Sequence, residues 1–471
     1  MVGNPVPQPV LHRPDADLSL FQSAVAASEQ RARAKADGTI PPGTLPPVDH
    51  GSPMLQALAH AAETLGSAAP ASAAAGLRAG IAPKVVEVCA GRYLDRALAE
   101  VRRDVAAIAA AQAALPPFGT CDGRWIEALN DFVLHAALRR HSDVPYRVWS
   151  SLDDFVLPEP SESAAMPLLT ERARVAFISD WGTGEARPQA LLRAVAELQP
   201  DILIHLGDIY YAGSLPECDA FLSNVRAVFP DLPVFTLCGN HDMYSGGAPY
   251  YALLDRLGQP ASYFCQRNAH WQLLGMDTGF NDYDPFWEER AMTWLRDGSG
   301  ADGAEVDEVS EVEWLADKVA RAAGRRTILL SHHPLFTRHS PIAGTAVCNT
   351  RLLAQVQPWL SDVTLWLWGH EHCQQIFEPF AGLARGRCLG ASAIPTLPSE
   401  RPYEVATGFS PGQALPGLLD DPAARLGIDP VTGWHDLGFG LLQLDGVAAG
   451  MTYYGFNQTA GARALFFEQL V

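Results

Sequence analysis

The chain has 471 residues, 48% of them hydrophobic, which is enough for one large core and an accessory region besides. Its 53 acidic residues against 34 basic ones give a formal charge of -19 and exclude the basic footprint of a nucleic-acid-coating surface. Any anionic substrate would therefore need a local source of positive charge.

The first 50 residues are rich in proline and polar groups around one helix predicted over 18–36. No basic start leads into an apolar run, so no secretory signal is predicted. No stretch approaches the roughly 20 apolar residues needed to cross a bilayer; the Ala-rich tract over 68–83 is short and carries Arg78. The 8 cysteines are scattered singly without a CxxC pair, the pattern of reduced thiols, and a cytoplasmic location without membrane contact is expected. Residues 52–141 are Ala- and Leu-rich with helical spacing. A helix is predicted over 85–115, ending at Pro116-Pro117, and another over 126–140 after Asp122. Residues 1–165 are thus predicted to form a mainly helical accessory region that serves as a packing element, with the PEPSES-containing tract at 151–170 as the join.

The second domain is predicted over 170–471, where short apolar runs alternate with helical stretches in the manner of an α/β fold. The runs are 175–179, 202–206, 234–238, 271–276, 327–331 and 365–368. Their near-continuous hydrophobicity suits strands covered on both faces. A helix is predicted over 188–198, and another follows Ser310 and Glu313, which stand in capping-box spacing. Beyond 374 the pattern becomes strand-like with long Pro/Gly-rich loops, ending in FGLLQLDG and GMTYYGF.

Five of the six runs end in a small polar cluster. These are Asp180-Trp181-Gly182, Gly207-Asp208-Ile209-Tyr210-Tyr211, Gly239-Asn240-His241-Asp242, His332-His333-Pro334 and Gly369-His370-Glu371-His372. In open α/β sheets ligands bind at the carboxyl ends of the strands, so the five clusters are expected to converge. Carboxylate, phenolate, amide oxygen and imidazole without thiolate suit two Fe, Mn or Zn ions, with Asp208 able to bridge them. Such ions would also supply the positive charge that the acidic chain lacks.

The order DxG, GDxxY, GNHD, a strand-end His and GHxH resembles the calcineurin-like metallophosphoesterases, and more specifically the purple acid phosphatases. Most relatives carry a His two residues after the first Asp, where this chain has Gly182. A Tyr three residues after the second Asp replaces it, here Tyr211, which marks the purple acid phosphatase branch; Trp181 and Gln375 agree with that branch too. The resemblance covers about 172–392. It implies a four-layer αββα sandwich, with the N-terminal helical region attached on one side. It implies that Asp180, Asp208, Tyr211 and His372 hold a ferric ion, and that Asp208, Asn240, His332 and His370 hold a divalent Fe, Mn or Zn ion. The implied activity is hydrolysis of small phosphate monoesters by attack of a metal-bound hydroxide on phosphorus. The alternatives are a phosphodiesterase of the same superfamily and a catalytically silent metal-binding scaffold. His241 is implied to contact substrate and protonate the leaving oxygen, with Asp242 orienting it, while Asn240 and His333 would also face substrate. Glu371 is expected behind the ligands. His205, His270, His339 and His435 are expected to be structural, and the acidic tract from Asp302 to Glu313 is expected to be a solvated loop and helix start. The loops over 279–310 and 395–430 are expected to shape the substrate mouth. Ser392 lies outside any GxSxG elbow, and no GK[ST] loop occurs. The protein partners are not legible in the sequence.

Overall fold

The structure, a computed structural model, describes residues 169–470 apart from short stretches, the longest being 183–185, 210–212, 283–291 and 298–308. It also describes 105–107, 110 and 146. The predicted helices over 18–36 and 126–140 lie outside the described residues, as does all but the end of the join at 151–170. Of the helix predicted over 85–115 only 105–107 and 110 are described, and 105–107 are helical.

Two six-stranded sheets form the body. The first runs in the order β12-β11-β10-β1-β2-β3, with β1 (Arg172–Ile178), β2 (Ile202–His205) and β3 (Val234–Thr236) parallel; β10 (Leu437–Asp445), β11 (Ala448–Asn457) and β12 (Gly461–Gln469) are antiparallel. The second runs in the order β4-β5-β6-β7-β9-β8. Here β5 (Trp271–Gly275), β6 (Arg326–Ser331), β7 (Val363–Trp368) and β9 (Gly386–Leu389) are parallel, between antiparallel β4 (Phe264–Arg267) and β8 (Gln374–Ile376). The six runs predicted as strands are β1, β2, β3, β5, β6 and β7.

The layering follows from the two-residue period of a strand. In β1, Val175 and Phe177 point between the sheets, where they meet Leu273, Ile328, Leu330, Leu365 and Leu367 of the second sheet. Ala176 and Ile178 point the other way, into a core shared with α1 (Ala186–Glu197), α2 (Leu215–Val228) and α4 (Ala248–Leu257). In β7, Trp366 and Trp368 likewise face outward to α5 (Glu311–Ala320) and α6 (Thr350–Val356). Both sheets are therefore covered on both faces, which is the physical reason their parallel strands are apolar throughout, and the layer order is α, β, β, α. Each fully buried Leu or Ile in these layers contributes about 1.5–3 kcal/mol.

A charged clamp crosses between the sheets. Arg387 of β9 donates Nε to Glu468 Oε1 at 2.9 Å and Nη2 to Glu468 Oε2 at 2.8 Å, and Glu468 belongs to β12. Tyr453 donates its hydroxyl to the same carboxylate at 2.6 Å. Among the described residues no helix is long and apolar enough to cross a membrane. The six described cysteines are free thiols.

Candidate functional site

The parallel strands deliver polar residues to one end of the sandwich. Asp180 follows β1, Asp208 follows β2, and Asn240 and His241 open the short helix α3 (Asn240–Met243) just after β3. His332 follows β6, and His370 and His372 follow β7. Asp180, Asp208 and His370 have φ of 54°, 67° and 66°, the left-handed region that a residue other than glycine adopts only under constraint. Here the backbone turns abruptly away from the strand, and each turn aims its side chain across the sheet ends. Glycines make the close approach possible. A Cβ on Gly207, itself at φ 104°, would lie 2.6 Å from His332 Nδ1, and one on Gly239 would collide with the Asp208 carboxylate.

The donors meet around His332. Its Nδ1 donates to the Leu206 carbonyl at 2.9 Å, which leaves Nε2 as the atom facing the site. Within reach of that nitrogen lie Asp208 Oδ2 at 3.2 Å, Asn240 Oδ1 at 3.2 Å and His370 Nδ1 at 3.3 Å. His370 Nδ1 is also 3.0 Å from Asn240 Oδ1. Four atoms with lone pairs thus share one small space, an arrangement that needs a cation or a proton at its centre. The second half of the site is built on Asp180. Its Oδ1 lies 3.4 Å from His372 Nε2, and its Oδ2 accepts from Ser179 Oγ at 2.5 Å and from the His370 N–H at 3.1 Å. Asp180, Asp208 and His332 also form a group whose ligand atoms all lie within 4.8 Å of one another. This donor set fits metal ions by geometry and by chemistry.

Residues 173–374 match the family model of calcineurin-like phosphoesterases. This stretch is a calcineurin-like phosphoesterase domain. The match spans under half of the 471-residue chain. Comparison with curated proteins finds no match. Among solved structures, a purple acid phosphatase from yellow lupin (Lupinus luteus) seeds shares 14% identity over 64% of this chain and 54% of its own, with a TM-score of 0.45. This chain therefore spans about half the length of the lupin protein. GAP50, the anchor in the inner membrane complex of Plasmodium, shares 14% identity over 63% of this chain and 88% of its own, with a TM-score of 0.37. A putative 5'-nucleotidase from Staphylococcus aureus shares 13% identity over 63% of this chain and 54% of its own, with a TM-score of 0.29.

The electrostatics of the phosphoesterase domain follow from burial. Burial alone pushes the Asp208 carboxyl up, but the His332 and His241 charges beside it outweigh that and hold it well below the usual range. Burial pushes His332 down, yet Asp208 and Asp180 raise it to about 9. A bound cation would displace the proton that those carboxylates favour on His332.

Six of the seven expected ligands converge as the sequence predicts; Tyr211 lies outside the described residues. His241 also reaches the cluster, with its backbone N–H on Asp208 Oδ1 at 3.0 Å and its Nε2 3.9 Å from Asp208 Oδ2. Two side chains make contacts beyond those their expected roles describe. Asp242, expected to orient His241, accepts the backbone N–H groups of Asp208 at 3.0 Å, Ile209 at 3.0 Å and Gly239 at 2.8 Å. Its carboxylate ties two ligand loops together and belongs to the scaffold of the site. Burial and the Asp208 charge push it up to about 7, against the pull of those N–H groups. His333, expected to face substrate, is buried with both ring nitrogens engaged. Nε2 is 2.9 Å from Asp282 Oδ2, and Nδ1 is 3.0 Å from the Thr278 hydroxyl. The carboxylate favours the Nε2–H tautomer, and a ring nitrogen of His333 also lies within 4.8 Å of those of His332 and His370.

His205 is structural as expected. Its Nδ1 lies 2.9 Å from the Thr236 hydroxyl, its Nε2 accepts the Trp181 N–H at 3.3 Å, and burial lowers it to about 3. His270 sits at the surface 3.6 Å from Glu171, and His339 is half-buried. His435 lies in a loop that does reach the site: its N–H bonds the Thr396 carbonyl, and the Thr396 hydroxyl bonds the His372 carbonyl. Glu371 is buried and accepts the Thr337 hydroxyl. Ser392 pins the end of β1 to β10 by accepting from the Ser179 N–H and donating to the Gly438 carbonyl.

The sixth run carries functional polar residues as well. β5 also ends in a polar cluster, Asp277-Thr278-Gly279, and Thr278 and Asp282 from this turn are what hold His333. The same strand-end pattern that revealed the other five was there to find it. Glu311, placed by the sequence in a solvated helix start, is in fact buried and bonded to the Asp277 N–H at 2.8 Å.

Proposed function

We propose that the chain is a two-metal phosphoesterase of purple acid phosphatase type that hydrolyses small phosphate monoesters. The convergence of Asp208, Asn240 and His370 on His332 Nε2 supports this reading most directly, because that donor set suits a cation. Asp180, Asp208, Tyr211 and His372 would hold one ion, expected to be ferric. Asp208, Asn240, His332 and His370 would hold a divalent Fe, Mn or Zn ion. Gly182, where most relatives have His, and Tyr211 support the branch. When bound, the ions would supply the charge that holds a phosphoryl group and the acidity that activates water.

The chain's own residues supply the rest. His241, with its ring beside Asp208, would donate a proton to the departing ester oxygen and a hydrogen bond to the phosphoryl group. Asp242 keeps the Asp208 and Asn240 loops in register through its three backbone hydrogen bonds. The free thiols fit a reducing, cytoplasmic compartment.

The test is hydrolysis of an aryl phosphomonoester and the matching diester, side by side, after reconstitution with Fe, Mn or Zn. Monoester preference with iron and a visible charge-transfer band that Tyr211→Phe abolishes is expected. Diester preference with Mn and no colour would move the chain to the phosphodiesterase alternative. Equal trace activity in wild type and Asn240→Ala under every metal would leave only a silent scaffold.

A further inference from the structure

The turn after β5, residues 277–282, props up two of the ligand loops at once. On one side Thr278 and Asp282 grip both ring nitrogens of His333, whose ring lies 4.8 Å from that of His370. On the other side Gly279 lies flat on the Gly239 backbone, where even a Cβ would come 2.6 Å from the Gly239 carbonyl oxygen. The turn is itself held from behind. Asp277 Oδ1 accepts the N–H groups of Gly279 at 3.2 Å and Phe280 at 2.9 Å, and the Asp277 N–H donates to Glu311 Oε1 at 2.8 Å.

The other oxygen of Glu311 accepts a hydrogen bond of 3.1 Å from Tyr146, 165 residues earlier in the chain. Tyr146 belongs to the region that the sequence assigns to a separate accessory unit, yet its ring is built into this domain. It meets Phe280 edge-on at 4.6 Å between centroids and stacks beside Tyr263 at 5.9 Å, with the Arg296 guanidinium 4.6 Å above it. Phe280 is part of the turn in question, so Tyr146 touches the turn directly through its ring and indirectly through Glu311. Burial pushes both Glu311 and Asp277 up, and the Tyr146 and Tyr251 hydroxyls add donors to Glu311 Oε2 and Asp277 Oδ2 beside the backbone N–H groups on their other oxygens.

We propose that Tyr146 is a positioning residue for the candidate metal site, supplied by the N-terminal region, which fixes the 277–282 turn and through it His333, His370 and the Gly239-Asn240 loop. Tyr146 then completes the site from behind and takes no part in the chemistry. The proposal rests on the phosphoesterase reading for its effect on turnover, while its effect on metal binding needs only that the candidate site hold a cation.

The experiment compares full-length wild type, Tyr146→Phe, Tyr146→Ala and Glu311→Gln by titration with Co2+, followed by its visible spectrum, and by kcat and KM on an aryl phosphate. Tyr146→Phe keeps the ring contacts and is expected within threefold of wild type in every quantity. Tyr146→Ala is expected to weaken Co2+ binding about tenfold, to change the Co2+ spectrum, and to lower kcat about tenfold with KM within twofold. Should Tyr146→Ala not fold, Glu311→Gln is expected to shift the Co2+ spectrum in the same direction with a smaller loss. A Tyr146→Ala protein that melts earlier but binds Co2+ with wild-type affinity and spectrum would overturn the proposal and reduce Tyr146 to packing. If wild type hydrolyses nothing while Tyr146→Ala still alters Co2+ binding, the phosphoesterase reading fails and the positioning role stands.

Discussion

Three of the converging side chains, Asp180, Asp208 and His370, stand on left-handed backbone, so the site stores strain that its neighbours must hold in place. The glycines between them leave no slack. Gly239→Ala would drive a methyl group into the Asp208 carboxylate, and it is expected to lower metal affinity and turnover by at least a hundredfold while the fold survives. Metal titration with far-UV circular dichroism checks this. His205 carries a pH dependence of stability. Its folded value of about 3 lies below the ordinary 6.5, so its contribution is fully present above pH 6.5 and is lost as pH falls from there towards 3. The slope from this group is at most about 1.4 kcal/mol per pH unit. Denaturant titrations between pH 7 and 4 should show a flatter profile for His205→Gln than for wild type. At this scale the convergence of the candidate ligands was legible because each follows an apolar run, a strictly local pattern. The contacts of His333 and Asp242 were not. They depend on Thr278, Asp282 and the Gly239 N–H, which are brought near only by the fold.

The strands that could be predicted are those with both faces covered, since burial alone writes their apolar runs. β4 and β8 escaped because they are edge strands that include buried Gln266, Gln374 and Gln375, side chains that no strand pattern favours. The helix starts were legible where capping chemistry is local. Ser310 and Glu313 form the predicted capping box of α5, with the Ser310 side chain accepting the Glu313 N–H at 3.1 Å. At the start of α6, Asn349 Oδ1 accepts the Leu352 N–H at 3.1 Å. Asn349→Ala is expected to cost about 1 kcal/mol through the lost cap, read as a lower denaturant midpoint with an unchanged slope.

Among the described residues, the two sheets are joined by apolar packing and by a largely buried charge clamp. Arg387→Ala would leave Glu468 short of its bidentate partner in a buried setting. With Arg385 still 3.3 Å from the same carboxylate, the expected loss is about 3 kcal/mol, at the lower end for such a deletion. Chemical denaturation measures it, and a loss below about 1 kcal/mol would show that the clamp is replaceable. The layer order was implied by the family resemblance, whereas the contact between Tyr146 and Glu311 had no sequence signal, because a lone tyrosine 165 residues upstream carries no periodicity to betray its partner.

On the proposed reading, the donors at five strand ends would hold two ions, with Asp208 shared between them. Equilibrium metal stoichiometry after dialysis against Mn2+, wild type beside Asp208→Ala, tests it most directly. Two ions per wild-type chain and one or none in the variant are predicted. One ion or none in wild type, or two in both proteins, would contradict the account.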